Sequence, residues 1–341
     1  MIAESKQALP VVIIYAVAVL LAGGAYFCSA TDYTVELPFI GDTRLYVHHS
    51  TLAQMFMLAL CVIAMLVLTT RHPLIRIYSR IISCAYIALN VMSVGVLFQF
   101  QPPMPWGDDW GIIHCLAVQL CVILFYVLLF NTYQRQKSQG TVLLAFACIG
   151  IASIFFIQIV FFVPLLWLLI VRNMMVYGAR MLVASVLGVL LPYWFIGAVC
   201  IFTGKTTTLL QHLTSIAVFV KPDEWLDVIM STSLYTAVTV AFILLLTVMG
   251  MVHFIRTSYK DNIRVRMMIE VIMTLSVAAF IFVALQPQHV IMLLNILIIN
   301  ASVLIGHYIA LTGTRWTNAS FFLLIALTLA ITAFNIYGCA H

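Results

Sequence analysis

Long, uninterrupted apolar runs dominate this chain, and most polar residues fall in the segments between them. Nine of the runs are 18 to 27 residues long: 10–29, 51–70, 81–98, 112–130, 181–203, 228–254, 267–285, 289–311 and 317–337. About 20 apolar residues in a helix match a hydrocarbon layer of roughly 30 Å. Backbone groups in lipid must be paired internally, so each run is predicted to be helical. The pattern therefore predicts an all-α fold, a polytopic transmembrane helical bundle.

Composition excludes a water-soluble domain. Charged residues make up 8% of the chain and hydrophobic residues 64%, whereas about a quarter of a soluble domain is charged. The first run is longer than a signal-peptide core of roughly 7–15 residues, and only Lys6 precedes it, so we expect it to remain as a membrane element. Residues 1–341 are expected to form one integral membrane domain.

A tenth apolar stretch, 141–171, has 31 residues, which is long for one crossing and short for two. If it forms two elements, thirteen of the sixteen Lys and Arg residues fall on one side of the membrane. Those thirteen are Lys6, Arg71, Arg76, Arg80, Arg135, Lys137, Arg172, Arg180, Arg256, Lys260, Arg264, Arg266 and Arg315. A single crossing would instead divide the basic residues eight against eight. Because cytoplasmic loops carry the excess of Lys and Arg, we predict two elements.

This prediction gives about eleven membrane elements in a bacterial inner membrane, with a cytoplasmic N-terminus and an extracytoplasmic C-terminus. Each arm of the 141–171 hairpin would have about 15 residues, or roughly 23 Å. Such a hairpin is either re-entrant, lining a functional centre, or a pair of short tilted helices packed through Ala147, Gly150 and Ser153. In both cases we expect residues 156–159, next to the midpoint, to lie near the outer leaflet.

Acidic residues concentrate on the predicted outer side, where the segment 99–110 is the densest cluster. In it Trp106 and Trp110 flank Asp108 and Asp109. Aromatic rings stack on sugars while carboxylates accept hydroxyl hydrogen bonds, and two adjacent carboxylates can divide the roles of acid and base. We therefore predict a substrate site with Trp106 and Trp110 on its wall. The other interpretation is an interfacial aromatic belt beside a helix cap.

The candidate catalytic residues are Asp108 and Asp109, together with Asp32 and Glu36 of the first outer loop. A second outer segment, 205–220, has apolar residues at helical spacing and is predicted to be a helix lying in the membrane interface. It would frame the entrance for a lipid headgroup, or act as a plain connector.

Polar residues inside the predicted spans suggest a second site. Glu270 lies one turn after Arg266, and His307 returns to nearly the same depth on the next span, so these three residues form a possible intramembrane cluster. It would either join two helices or serve a cytoplasm-facing site or a proton step.

The span 289–311 also contains Asn295, Asn300 and Ser302. Such residues usually hydrogen-bond between helices. If Asn90, Gln119 and Tyr193 of other spans met them, a polar cavity would form. Asn300 is the candidate substrate-binding residue there.

Neither a metal site nor a cofactor is predicted, because the eight cysteines show no Cys-x-x-Cys pair and no cofactor motif is present. The net charge of +5 reflects the cytoplasmic surplus and suits an anionic leaflet. The expected partners are therefore membrane lipids, and nucleic acid is not among them.

Several short motifs give the chain a resemblance to a known group of proteins. They lie at 129–134, 151–155, 164–167, 180–194, 306–308 and 314–316. With them the chain resembles an uncharacterised Bacteroidota family of integral membrane proteins, a domain of unknown function. The resemblance implies a polytopic fold and brings no established activity. Some members carry a label as carotenoid-cleaving oxygenases, which resemble iron-binding β-propellers with four His ligands, whereas the histidines here are scattered over both faces of a predicted helical bundle.

Three functions stay open at this point, and the question of whether the chain is an enzyme stays open with them. The first is envelope biogenesis, acting on a lipid-linked substrate such as a polyprenyl-linked glycan at the outer face. The second is a transporter or lipid flippase, which would use a re-entrant hairpin and a polar span. The third is a non-catalytic membrane scaffold.

Overall fold

The computed structural model describes residues 43–76, 80–98, 111–204, 206–221, 223–312 and 315–340, which are helical apart from short connections and contain no strand. The run 10–29, the loop with Asp32 and Glu36, and the segment 99–110 lie outside the described residues. The helices are α1 Thr43–Arg71, α2 Ile81–Phe98, α3 Gly111–Phe130, α4 Gln139–Phe155, α5 Val163–Arg172, α6 Ala179–Phe202, α7 Thr206–Thr214, α8 Trp225–Ser231, α9 Leu234–Thr257, α10 Ile263–Leu285, α11 Val290–Leu311 and α12 Arg315–Ala340.

Seven of the described helices are long and apolar enough to cross a membrane. They contain the spans Gln54–Arg71, Ile112–Phe130, Ala179–Phe202, Leu234–Lys260, Ile263–Leu285, Pro287–Leu311 and Asn318–Tyr337. Shorter apolar helical stretches occupy Ile81–Leu97, Gln139–Phe155 and Ile157–Arg172. The prediction of a helical membrane protein is thus confirmed.

One predicted boundary is wrong. The apolar run 228–254 is divided into α8 and α9, and the break falls at Thr232 and Ser233, which have extended backbone. Ser233 caps α9, since its Oγ accepts a hydrogen bond from the Thr236 backbone N–H at 3.3 Å. A serine favours this capping position over a helix interior, so hydropathy alone placed the start six residues too early.

The stretch 141–171 forms a hairpin. Helix α4 ends at Phe155, a 3₁₀ segment follows over Ile157–Phe162, and α5 then runs to Arg172. The two feet of the hairpin meet, because the Gln134 backbone N–H donates to the Met174 carbonyl at 2.9 Å and Gln136 Nε2 donates to the Met175 carbonyl at 2.9 Å. The rises of the α and 3₁₀ helices make the arms about 25 and 27 Å long, which is close to the hydrocarbon thickness.

Glycines allow the closest helix contacts of the bundle. Gly150 of α4 and Gly188 of α6 lie at the crossing of these two helices, where a Cβ on Gly150 would come within 2.5 Å of the Val189 carbonyl oxygen. Gly250 of α9 and Gly306 of α11 lie equally close to neighbouring helices. Small residues of this kind let helices approach in lipid, where packing replaces the hydrophobic effect as the driving force.

Helix α11 is the centre of the fold. Its residues from Met292 to His307 are all buried, and it packs against α2, α3, α9 and α10. Helix α6, by contrast, buries one face against α4 and leaves a continuous apolar face exposed, including Trp194 and Phe202 at 82% and 90% exposure. The central helix must therefore satisfy its polar side chains within the protein, whereas α6 is suited to contact lipid.

The bundle has two chemically different ends. We call the end that contains the hairpin bend at 156–162 the tip end, and the end that contains the feet of the hairpin the basic end. The described basic residues at the basic end are Arg71, Arg76, Arg80, Arg135, Lys137, Arg172, Arg180, Arg256, Lys260, Arg264, Arg266 and Arg315. This separation depends on the hairpin, which enters and leaves the bundle at the basic end. A single crossing over 141–171 would instead have placed most of the later basic residues at the opposite end.

Candidate functional sites at the two ends of the bundle

A surface segment, 206–221, docks on the hairpin bend at the tip end. It consists of α7 and a 3₁₀ turn over Ser215–Ala217, as the apolar spacing of 205–220 predicted. Gln158 Nε2 donates to the Ser215 carbonyl at 3.4 Å, and His212 Nε2 lies 3.2 Å from the Ser153 carbonyl oxygen. The hairpin bend therefore supports the segment through polar contacts.

The same segment also binds the turn between α10 and α11. The Val220 backbone N–H donates to Gln286 Oε1 at 2.9 Å, and Gln288 Nε2 donates to the Val218 carbonyl at 3.2 Å. We call the assembly of residues 153–158, 206–221 and 286–289 the collar. Its polar contacts run between three separate parts of the chain, and none of them follows from local spacing.

Aromatic rings of the hairpin bend, the collar and α10 contact one another at the tip end. Phe161 lies 5.5 Å from Phe219 and 5.9 Å from Phe282, measured between ring centroids. Phe156 meets His289 edge-on at 5.6 Å. Exposed apolar side chains, such as Phe202 and Met230, lie near the collar on the neighbouring helices. The tip end thus has polar and apolar surfaces side by side, as a lipid headgroup boundary requires.

His212 is one of the titratable groups of the collar, which also contains Lys221 and His289. Its ring stacks on Tyr193 with a centroid distance of 6.3 Å, and the Tyr193 hydroxyl lies 2.9 Å from Ser153 Oγ. Burial lowers the pKa of His212, although its bond to the Ser153 carbonyl acts in the opposite direction. His212 is therefore neutral at pH 7 and donates to that carbonyl through Nε2. Tyr193 serves the collar, not the polar residues of α11 with which the sequence grouped it.

The predicted catalytic and sugar-binding residues Asp32, Glu36, Trp106, Asp108, Asp109 and Trp110 lie outside the described residues. The two helix ends that flank 99–110 are described. Helix α2 ends at the tip end with Phe98, and α3 begins there with Gly111. The ring of His114, in the first turn of α3, lies 5.2 Å from the ring of Phe155 at the hairpin bend.

Polar residues of α11 pair with neighbouring helices in the core. Gln119 of α3 bridges two helices, because it accepts from the Tyr86 hydroxyl and donates to Asn295 Oδ1 at 2.8 Å. The Tyr126 hydroxyl donates to Asn300 Oδ1 at 2.7 Å. The predicted meeting of Gln119 with α11 is confirmed, whereas Asn90 donates to the Tyr86 carbonyl of its own helix.

Asn300, the candidate substrate-binding residue, is completely buried. Its Nδ2 has no hydrogen-bond partner within the described part of the chain. The sequence identified this residue by its polarity inside an apolar span, and the structure places it at a junction of α3 and α11.

The proposed cluster of Arg266, Glu270 and His307 lies at the basic end, but the hydrogen bonds of Glu270 and His307 lead to residues outside the cluster. Glu270 Oε2 accepts a hydrogen bond from Asn173 Nδ2 at 3.0 Å. Arg266 Nε is buried and has no partner among the described residues. His307 contacts Asp261 instead. Helix spacing made the Arg266 and Glu270 pair plausible, and the foot of the hairpin supplies Asn173 in place of the arginine.

Asp261 is the functional candidate that sequence reasoning missed. It lies in the short turn between α9 and α10, yet its side chain is fully buried. His307 Nε2 lies 3.2 Å from Asp261 Oδ2, and Arg76 Nε lies 2.7 Å from Asp261 Oδ1. The Arg76 Nε–H is not directed at Asp261 Oδ1 as a hydrogen bond requires, so this second contact is an ion pair only. The sequence feature that could have identified Asp261 is a single carboxylate in a turn with several basic residues around it.

His72 joins the loop after α1 to α3 and α10. Its Nε2 lies 3.2 Å from the Val127 carbonyl oxygen, and Arg264 Nη2 lies 3.4 Å from its Nδ1. Burial lowers the pKa of His72 to about 4, the Val127 contact opposes that change, and Arg264 and Arg71 add to it. The ring is therefore neutral at pH 7, donating to Val127 and accepting from Arg264.

Among the described residues, no group of three or more His, Cys, Asp or Glu side chains is placed to hold a metal ion. No family model, curated protein or solved structure matches this chain. The function must therefore be inferred from the residues and their arrangement.

Proposed function

We propose that the chain is a bacterial inner-membrane protein with about eleven membrane elements, a cytoplasmic basic end and an extracytoplasmic tip end. The accumulation of Lys and Arg at one end supports this orientation, since basic residues resist translocation. The N-terminus would then be cytoplasmic and the C-terminus extracytoplasmic.

Its proposed activity is envelope biogenesis, acting on a lipid-linked or glycan substrate at the tip end. The observation that carries this proposal is the collar, where the segment 206–221 rests on the bend of a membrane hairpin. A headgroup lying beside such a collar would meet amide and imidazole groups. Its polyprenyl chain would lie along the exposed apolar face of α6, near Trp194 and Phe202.

The chemistry is assigned to carboxylates of the predicted outer loops. Asp108 and Asp109 would serve as acid and base, with Asp32 and Glu36 as further candidates, while Trp106 and Trp110 would stack on sugar rings. The positions of Phe98 and Gly111 support this assignment, because these two residues flank the segment 99–110 and both lie at the tip end.

Replacing Asp108 and Asp109 together by Asn tests the proposal. Asn keeps the shape and the capping capacity of Asp but removes the negative charge. We expect the purified variant in lipid nanodiscs to insert normally and to lose turnover of a radiolabelled polyprenyl-linked oligosaccharide. The matched control is Asp227→Asn, which removes an exposed carboxylate at the same end. Turnover that persists in the double variant would contradict the assignment.

A transporter or lipid flippase is the second candidate, and the buried polar contacts favour it. Gln119, Asn295 and Asn300 lie inside the membrane-spanning region, and charged groups are buried at the basic end. The same labelled lipid separates the two functions in proteoliposomes. An enzyme converts it chemically, whereas a flippase moves it unchanged between leaflets; a scaffold does neither.

A further inference from the structure

The buried charges around Asp261 form a cluster that the proposed envelope function does not use. It lies at the basic end and joins four parts of the chain. Asp261 comes from the turn between α9 and α10, His253 from α9, His307 from α11, and Arg76 from the loop after α1. Three parts of the protein thus surround one buried carboxylate.

The hydrogen-bond pattern determines where protons sit in this cluster. A carboxylate can only accept, so His307 Nε2, at 3.2 Å from Asp261 Oδ2, carries the ring proton. His307 Nδ1 then holds a lone pair. This nitrogen is buried and has no hydrogen-bond partner among the described residues, and the same is true of His253 Nε2. His307 Nδ1 is therefore a basic nitrogen without a donor among the described residues, and His253 Nε2 is a second buried ring nitrogen without a partner there. An unsatisfied polar atom in a low-dielectric region is unfavourable unless a partner or a proton reaches it.

The two imidazole rings are close enough to act together. Their centroids are 5.8 Å apart, and aromatic rings enclose them, with Phe254 edge-on to His307 and Tyr308 edge-on to His253. Within the described part of the chain, the charged and titratable groups that act on the His307 ring are Asp261, His253 and Arg76.

We propose that Asp261, His307 and His253 form a proton-binding site. In the empty state, the charges of Arg76 and Asp261 cancel. A proton delivered from water adds to His307 Nδ1 and makes an imidazolium, which the Asp261 carboxylate stabilises through the existing Nε2 contact. The net charge then becomes +1, and repulsion disfavours a second proton on His253, so the two rings titrate as a coupled pair in two steps.

Arg76 tunes the site. Its guanidinium competes for the same carboxylate and repels a protonated His307, so it weakens proton binding. Its side chain is 34% exposed, which places the cluster next to solvent at the basic end. This inference stands apart from the envelope function, since it concerns the opposite end of the bundle.

The test is an NMR titration of ¹⁵N-histidine-labelled protein in lipid nanodiscs between pH 4 and pH 9. Single variants, His307→Gln and His253→Gln, assign the two resonances. We expect both rings to titrate in linked steps. Asp261→Asn should lower the His307 midpoint by about one pH unit or more, a tenfold loss of proton affinity. Arg76→Gln should raise that midpoint, because it removes the competing cation.

His114 is the matched control, because it is a buried histidine whose Nδ1 has no hydrogen-bond partner among the described residues, but it lies at the tip end. Its resonance should not respond to either variant. A His307 resonance that does not move across the pH range, or whose midpoint is the same in all three proteins, would overturn the proposal. If Asp261→Asn does not fold, Arg76→Gln decides alone: a raised His307 midpoint supports the site, and an unchanged or lowered midpoint excludes it.

Discussion

Gly150 offers a direct test of how the hairpin is held against α6. Replacing it by alanine adds one methyl group at the crossing of α4 and α6. That carbon would lie 2.5 Å from the Val189 carbonyl oxygen and 3.1 Å from two ring carbons of Pro192. The obstacle is backbone and a rigid ring, so no flexible side chain can move aside. The two helices must separate.

The size of the effect follows from the distances. Ordinary contact begins at 3.4 Å, so α4 and α6 must move apart by about 0.9 Å at this point. A gap of roughly 0.5–1 Å forfeits a quarter to a half of each dispersion contact. Overpacking of this kind costs about 1–3 kcal/mol, and packing is the main force between helices in lipid. We therefore expect Gly150→Ala to lower the free energy of unfolding by about that amount.

Gly140 is the matched control, since it belongs to the same helix. An added Cβ there meets nothing within 4 Å. Gly140→Ala should stabilise the protein slightly, by less than the roughly 0.5–1 kcal/mol of a helix interior, because alanine has the higher helix propensity and Gly140 is the second residue of α4. The thermal unfolding midpoints of the two variants in detergent should shift in opposite directions. A Gly150→Ala variant as stable as Gly140→Ala would refute the proposed close packing.

Two further predictions concern pH and orientation. His72 has an ordinary pKa near 6.5 when unfolded and about 4 when folded, so its stabilising contribution is complete above pH 6.5 and is lost as the pH falls toward 4. His72→Gln should make the unfolding midpoint less dependent on pH over that interval, and parallel curves for the two proteins would contradict this. A reporter fused after His341 should be extracytoplasmic, and one inserted at 259–262 should be cytoplasmic; both on one side would exclude the orientation.

The hairpin shows what the hydropathy pattern and the charge distribution can predict about the fold. The 31 residues of 141–171 did not decide between one crossing and two, but the distribution of Lys and Arg did. The structure agrees, since Gln134 and Met174 meet at the feet. The length, hydropathy and positive charge of a segment determine how that segment interacts with the membrane. These properties can therefore be evaluated for each segment without knowing its neighbours in the fold.

Partner choice could not be predicted in the same way. Glu270 has Arg266 one turn before it on the same helix, yet it accepts a hydrogen bond from Asn173, far away in the chain. Asp261 lies in a short turn between two helices, where exposure is expected, but its side chain is buried between Arg76 and His307. These contacts depend on which helices are neighbours, and in an apolar bundle nearly every face of a helix is equally apolar.

The sequence by itself therefore determined that this protein is a helical membrane protein, where most of its helices lie, and which end gathers the basic residues. The tertiary structure decided that segment 206–221 rests on the hairpin bend and that His307 contacts a buried aspartate, Asp261, beside His253. The physical reason is that lipid selects helices by length and polarity, which are local properties. The pairing of polar groups is selected by helix contacts, which glycines such as Gly150 and Gly306 allow only at particular points.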